Sequence, residues 1–131
     1  MKIGIVFGAF DLLHTGHILM LKECKENCDY LIVGLHIDPS IERKEKNKPI
    51  ETTFERYIKL KAIKYIDEII PYDTEEDLEN MLKTIQPDIR FIGKDWKNKK
   101  ITGEKKNIYW IERKHNYSST NLRKRIKRNV L

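Results

Sequence analysis

Short apolar runs alternate with helical stretches along this chain, and that alternation restricts its fold more than any other feature. Residues 2 to 7, Lys-Ile-Gly-Ile-Val-Phe, are largely apolar and close on Gly8, the pattern of a buried parallel strand. From Gly16 to Glu26 the residues Ile18, Leu19, Leu21 and Cys24 recur at helical spacing that Cys28 continues, and Asp29 to Leu35 returns to a strand pattern. Thr52 or Thr53 offers an N-cap for a helix running through Phe54, Tyr57, Ile58, Leu60 and Ile63. Glu68 to Pro71 reads as a strand and Glu75 to Ile85 as an amphipathic helix that stops before Pro87. Ile89 to Gly93 and Asn107 to Ile111 are further strands, and Ser118 to Lys127 closes as a helix capped by Ser118 or Ser119. The expected fold is α/β: a Rossmann-like, parallel five-stranded sheet with helices on both faces and a ligand crevice at the carboxyl ends of its strands.

At 131 residues and 40% apolar content the chain suits a single domain spanning residues 1–131, with no internal repeat or low-complexity linker. It holds no apolar run of 18 residues, and MKIGIVFGAF passes into Asp11 without a small-residue cleavage site, so no membrane partner and a cytoplasmic location are expected. Two cysteines four residues apart on one helix are expected as reduced thiols. The net charge of +6 points to an anionic partner. The basic excess collects in residues 43–48, 94–106 and 113–128. Most of those side chains are ordinary solvated surface, and the lysine-rich stretch from Asp38 to Pro49 reads as a surface loop.

The most informative segment is Gly8-Ala9-Phe10-Asp11-Leu12-Leu13-His14-Thr15-Gly16-His17, between the first strand and the first helix. Glycine there lets backbone approach a ligand, and the exposed N–H groups and dipole of a helix start favour phosphate. Three residues apart at the helix start, His14 and His17 are expected to share a face and converge on the same phosphate oxygens. Nothing in packing calls for two imidazoles flanking a glycine.

This His-x-Gly-His motif resembles that of the cytidylyltransferase family, and within it the sequence is most similar to the glycerol-3-phosphate cytidylyltransferases. Further anchors are Lys44 and Lys46, the segment Tyr65 to Pro71, Gly93-Lys94-Asp95-Trp96, and Arg113 followed by Ser118-Ser119-Thr120. The resemblance implies a CTP-dependent transfer of CMP to a small phosphorylated acceptor, with release of pyrophosphate and Mg²⁺ as cofactor. In it His14, His17, Lys44 and Arg113 act in catalysis. Gly8, Ala9, Phe10, Asp11, His14, His17, Asp95, Trp96, Arg113, Ser118, Ser119 and Thr120 bind the nucleotide, while Lys44, Lys46, Arg56, Asp67 and His36 face the acceptor. No protein ligand to the metal is assigned, and a homodimer is implied.

The sequence departs from that pattern at Lys114-His115-Asn116-Tyr117, where the family reads Thr-x-Gly-Ile before its hydroxyl residues, and at Thr15, where relatives often carry Trp. These departures bear on the acceptor and the base rather than on the phosphate chemistry. Transfer of AMP, as in an FAD synthetase-like adenylyltransferase, is the alternative. A nucleic-acid-binding module using the basic residues Arg123 to Arg128 is disfavoured, because no stacking platform or grouped recognition residues accompany them.

Overall fold

The computed structural model describes residues 1–129. Its elements are β1 (Ile3–Gly8), α1 (Thr15–Glu26), β2 (Tyr30–His36), α2 (Thr53–Lys61), β3 (Glu68–Tyr72), α3 (Glu75–Ile85), β4 (Ile89–Gly93), a 3₁₀ turn (Lys94–Trp96), β5 (Ile108–Ile111) and α4 (Ser119–Asn129). The five strands form one sheet in the order β3-β2-β1-β4-β5. Every neighbouring pair is parallel, with Gly8 opposite Leu35, and Gly93 opposite Ile111. The Rossmann-like α/β expectation therefore holds, with strand ends displaced by one residue at β1, β2, β3 and β5.

Period-two alternation distributes the core over the two sheet faces. On one face Leu21 and Cys24 of α1 and Leu60 of α2 pack against Val6, Leu31, Val33 and Phe91. On the other, Leu78 and Leu82 of α3 cover Ile5, Ile32 and Tyr72. Each fully buried aliphatic side chain of this kind contributes about 2 kcal/mol. Because β1 leads outward to β2 and β3 while α3 returns the chain to β4 on the other side of β1, the strand order reverses between β1 and β4. An open sheet splits there at its carboxyl edge, which is where ligands bind in such folds.

Helix starts are set by side-chain caps. Thr52, not Thr53, caps α2, in a reciprocal box with Glu55, and Thr74 caps α3 with Asp77. Ser118 Oγ accepts the Asn121 N–H at the start of α4. The N-cap of α1 is His14, so the two motif histidines do not share a helical turn: His14 is extended (φ −134°, ψ 179°) and only His17 is helical. Both cysteines are free thiols.

Candidate active site

The loop between β1 and α1 is held in a strained shape from outside. Phe10 and Leu12 both adopt left-handed backbone angles (φ 53° and 51°), a conformation that costs a residue with a side chain about 1 kcal/mol or more. The restraint comes from the residues before α2. Asp11 accepts the Ile50 and Glu51 N–H groups, both at 2.9 Å, and Glu51 Oε1 accepts the Leu12 N–H at 2.6 Å. Buried Phe10 packs its ring beside that of His17, with centroids 5.6 Å apart.

The same loop fixes the histidines. Gly16 N–H donates to His14 Nδ1 at 3.0 Å, and His14 N–H donates to His17 Nδ1 at 3.2 Å. A ring nitrogen that accepts a backbone N–H carries no proton, so in each neutral imidazole the proton sits on Nε2. Burial holds His17 neutral, with its pKa lowered to about 4, aided by the nearby His14 and Arg113. His14 is lowered in the same direction by burial, Arg113 and His115. The intervening glycine has a steric reason: a Cβ on Gly16 would meet His14 Cε1 at 2.8 Å and the Tyr117 carbonyl oxygen at 2.9 Å. Only glycine lets the first turn of α1 seat against both.

A crevice of about 1060 Å³ opens at the carboxyl edge of the sheet and takes its walls from both faces. It brings together Gly8, Ala9, His14, His17, His36, Lys46, Asp95, Trp96, Arg113, Ser118, Ser119 and Thr120. The starts of α1 and α4 both reach it, bringing two helix N-termini and the positive ends of their dipoles to one side. Arg113 donates to the Tyr117 carbonyl at 2.9 Å and lies 3.5 Å from the Asp95 carboxylate, so it links the ends of β4 and β5 to the start of α4. Around Trp96, Lys46 Nζ lies 4.5 Å from the ring centroid, Lys99 Nζ 5.4 Å and the Arg43 guanidinium 5.7 Å. His36 is 5% exposed, stacks on Tyr72 with centroids 4.5 Å apart, and approaches the Asp73 carbonyl at 3.2 Å through Nε2. Burial lowers its pKa as well.

Five residues expected at the site stand apart from the crevice walls. Phe10 and Asp11 shape the loop behind the histidines, as described. Lys44 is exposed, pointing away while its neighbours Arg43 and Lys46 turn inward. Arg56 is only 2% exposed and donates to the carbonyls of Ala9, His36, Ile37 and Glu51, which makes it a buried clamp on the ends of β1 and β2. Asp67 lies at the opposite, amino edge of the sheet, where it accepts the Leu31 N–H at 2.8 Å and pairs with Lys25 at 2.5 Å. Conversely, Arg43, Tyr72 and Arg90 line the crevice without having been singled out in the sequence. Arg43 shares its basic loop with Lys44 and Lys46, and nothing in the sequence separates the three. Tyr72 and Arg90 gave no signal, being polar-tipped residues inside strands.

Comparison with known proteins agrees with this architecture. The cytidylyltransferase-like family model matches residues 5–125. The chain is 36% identical over 123 residues to the bifunctional protein HldE of Campylobacter fetus subsp. fetus, covering 92% of this chain and 27% of that protein. It is 34% identical over 133 residues to the bifunctional protein HldE of Helicobacter hepaticus, covering 99% and 27% respectively. It thus spans about a quarter of the length of these curated relatives. Among solved structures, the lipopolysaccharide core biosynthesis protein from Thermoplasma volcanium GSS1 superposes with a TM-score of 0.64 at 26% identity, covering 98% of this chain and 88% of that one. None of the relatives named here carries the name of a glycerol-3-phosphate cytidylyltransferase, so the kinship established is broader than the likeness read from the motifs. With the match running through β1, the paired histidines and the start of α4, the chain belongs to the cytidylyltransferase-like family of nucleotidyltransferases.

Proposed function

We propose that this domain transfers a nucleoside monophosphate from a nucleoside triphosphate to the phosphate of a small acceptor and releases pyrophosphate. The observation that carries the reading is the pair of neutral imidazoles at the start of α1, each with Nδ1 occupied by backbone and Nε2–H free to donate. An acceptor phosphate oxygen attacks the α-phosphorus, a new P–O bond forms, and the bond to the bridging oxygen breaks as its electron pair leaves with pyrophosphate. A phosphate monoester has its second pKa near ~6, so the nucleophile is already an anion and needs no general base. Catalysis then rests on positioning and on donors aimed at the charge that develops on the α-phosphate. His14 and His17 supply those donors. Arg113 and the hydroxyls of Ser118, Ser119 and Thr120 at the start of α4 suit the outer phosphates, and Lys46 beside Trp96 suits the acceptor side.

Mg²⁺ is part of the proposal as an ion carried by the triphosphate. Among the described residues there is no group of three or more His, Cys, Asp or Glu side chains able to hold a metal. In the proposal the ion keeps several waters and binds chiefly through substrate phosphates. When bound, it would neutralise charge on the departing pyrophosphate.

CTP is the first donor reading, from the family likeness, with glycerol 3-phosphate as the first acceptor. ATP is the second reading, because the departure from the family pattern at Lys114 to Tyr117 leaves the base open. Likeness to a lipopolysaccharide core biosynthesis protein puts phosphorylated sugars on the acceptor panel. No helix of the described residues is long and apolar enough to cross a membrane, in keeping with the proposed cytoplasmic location. A homodimer is also part of the proposal. Phe54 and Ile58, one turn apart and exposed on α2, form an apolar patch that such an interface would cover, and sedimentation velocity reads the state directly.

The test is pyrophosphate release with CTP or ATP, Mg²⁺ and the acceptor panel, followed by mass spectrometry of the products. A nucleoside-diphosphate-linked product is expected. Absence of pyrophosphate with both donors across the panel would overturn the reading.

A further inference from the structure

The crevice has two chemically different halves. The half bordered by α1 and α4 holds His14, His17, Arg113 and both helix N-termini, which accounts for a triphosphate. The half on the α3 face is bounded by His36, Tyr72, Arg43, Lys46, Trp96 and Arg90, and the nucleotide chemistry leaves it unexplained.

Arg90 is the unusual member. It sits inside β4, paired with Ile5 in the middle of the sheet, and is 7% exposed. A guanidinium remains charged in such a place, and a buried charge is costly unless it is paired and hydrogen-bonded. Among the described residues no carboxylate comes within ion-pair distance of it. Glu75, the acid beside this half of the crevice, is engaged by Arg43 at 3.0 Å. Nη1 of Arg90 donates to the Thr102 carbonyl at 2.6 Å and reaches the Glu104 carbonyl at 3.4 Å, and its guanidinium lies 5.3 Å from the centroid of the Phe7 ring. Its Nε is a buried donor with no hydrogen-bond partner. Holding the 102–104 loop therefore uses Nη1 alone, with the Phe7 ring as a cation–π partner, and leaves Nε without a hydrogen bond and the guanidinium without a carboxylate at ion-pair distance.

Resting on the nucleotidyltransferase reading, we propose that Arg90 is a specificity-determining residue: the α3-side half of the crevice takes the body of the acceptor, and the Arg90 guanidinium binds an oxygen of it. The acceptor class follows from the walls. Arg43, Lys46 and Arg90 supply three cations against the single carboxylate of Glu75, so a body bearing its own positive charge, such as choline or ethanolamine, is repelled. A hydroxylated body presents oxygens to Arg90, and this reading moves Trp96, which the family likeness gives to the nucleotide, to the acceptor side. The acceptor is therefore a phosphorylated polyol or sugar.

The test is an NMR titration of ¹⁵N-labelled full chain, following the Arg90 Nε–H resonance after through-bond assignment, without nucleotide. Glycerol 3-phosphate, glucose 1-phosphate and phosphocholine are the probes. The expected result is a saturable shift with one or both hydroxylated probes and none with phosphocholine, the more tightly bound probe separating polyol from sugar. No shift with any probe, or an equal shift with phosphocholine, overturns the assignment. Because the titration needs no turnover, its outcome is independent of whether pyrophosphate is released. In turnover, Arg90→Lys should raise the acceptor KM at least about tenfold, the loss expected for a hydrogen bond to a charged group, while the triphosphate KM stays unchanged. An equal rise in both constants would mark a purely structural residue and contradict the proposal.

Discussion

The rings of His14 and His17 lie 3.9 Å apart with their planes 31° from parallel, tied by the His14 N–H that donates to His17 Nδ1. The tie gives each imidazole two tasks on opposite nitrogens. Nδ1 satisfies a backbone donor that the helix start would otherwise leave open, and Nε2–H remains for a ligand. In the proposed reaction a capping box of this kind would position the donors before substrate arrives, so that no reorganisation is needed.

Burial of His17 makes stability depend on pH. His17 has its pKa lowered by burial to about 4 in the folded protein, from an ordinary value of 6.5. Between those values the unfolded chain binds a proton that the folded chain refuses. The stabilisation is complete above pH 6.5 and is lost as pH falls toward 4. Urea denaturation of wild type and His17→Asn from pH 7.5 to 4.5 should show the steeper loss in wild type. Parallel profiles would contradict the burial argument.

Arg56 joins four backbone carbonyls at the ends of β1, β2 and the segment before α2. Arg56→Met keeps the stem but leaves those acceptors buried without donors, at about 1–3 kcal/mol for each that stays unsatisfied. Equilibrium urea unfolding should show a loss of at least about 3 kcal/mol, in line with breaking a buried charged network. A loss below about 1 kcal/mol would mean that the carbonyls find water instead.

Asp11 anchors the segment entering α2 through the Ile50 and Glu51 N–H groups and lies 3.8 Å from Arg123 of α4. Asp11→Ala should release the lysine-rich loop that precedes Ile50. Limited trypsin digestion should then cleave within residues 43–48 several times faster than in wild type, while the far-UV circular dichroism is unchanged. Equal cleavage rates would show that the loop is held by other contacts.

The sheet and its helices were legible because their two hydrophobic periods, 2 and 3.6, are distinct along the chain. The histidine pair was legible because it sits where a strand gives way to a helix. What the sequence hid is set by tertiary contact. Arg56 looks like one more charge on a polar helix, since the carbonyls it clamps come from segments up to 47 residues away. Arg90 lies between apolar Ile89 and Phe91 and reads as part of a strand. Lys44 and Lys46 share a loop, and only the fold decides that Lys46 reaches Trp96. Asp67 immediately precedes β3, and residues that precede parallel strands lie at the edge remote from ligands, so its place was legible in the sequence.

The most direct test of the account is the single-turnover rate of His14→Asn with Mg²⁺, the preferred triphosphate and a saturating acceptor. Asparagine keeps an oxygen where Nδ1 caps α1 and lacks any counterpart of Nε2–H, so the fold should be retained. The account predicts wild-type thermal stability to within ~1 kcal/mol and a rate lowered by roughly 10²–10³, the cost of removing one donor to a developing oxyanion. A stable variant turning over at near wild-type rate would contradict it.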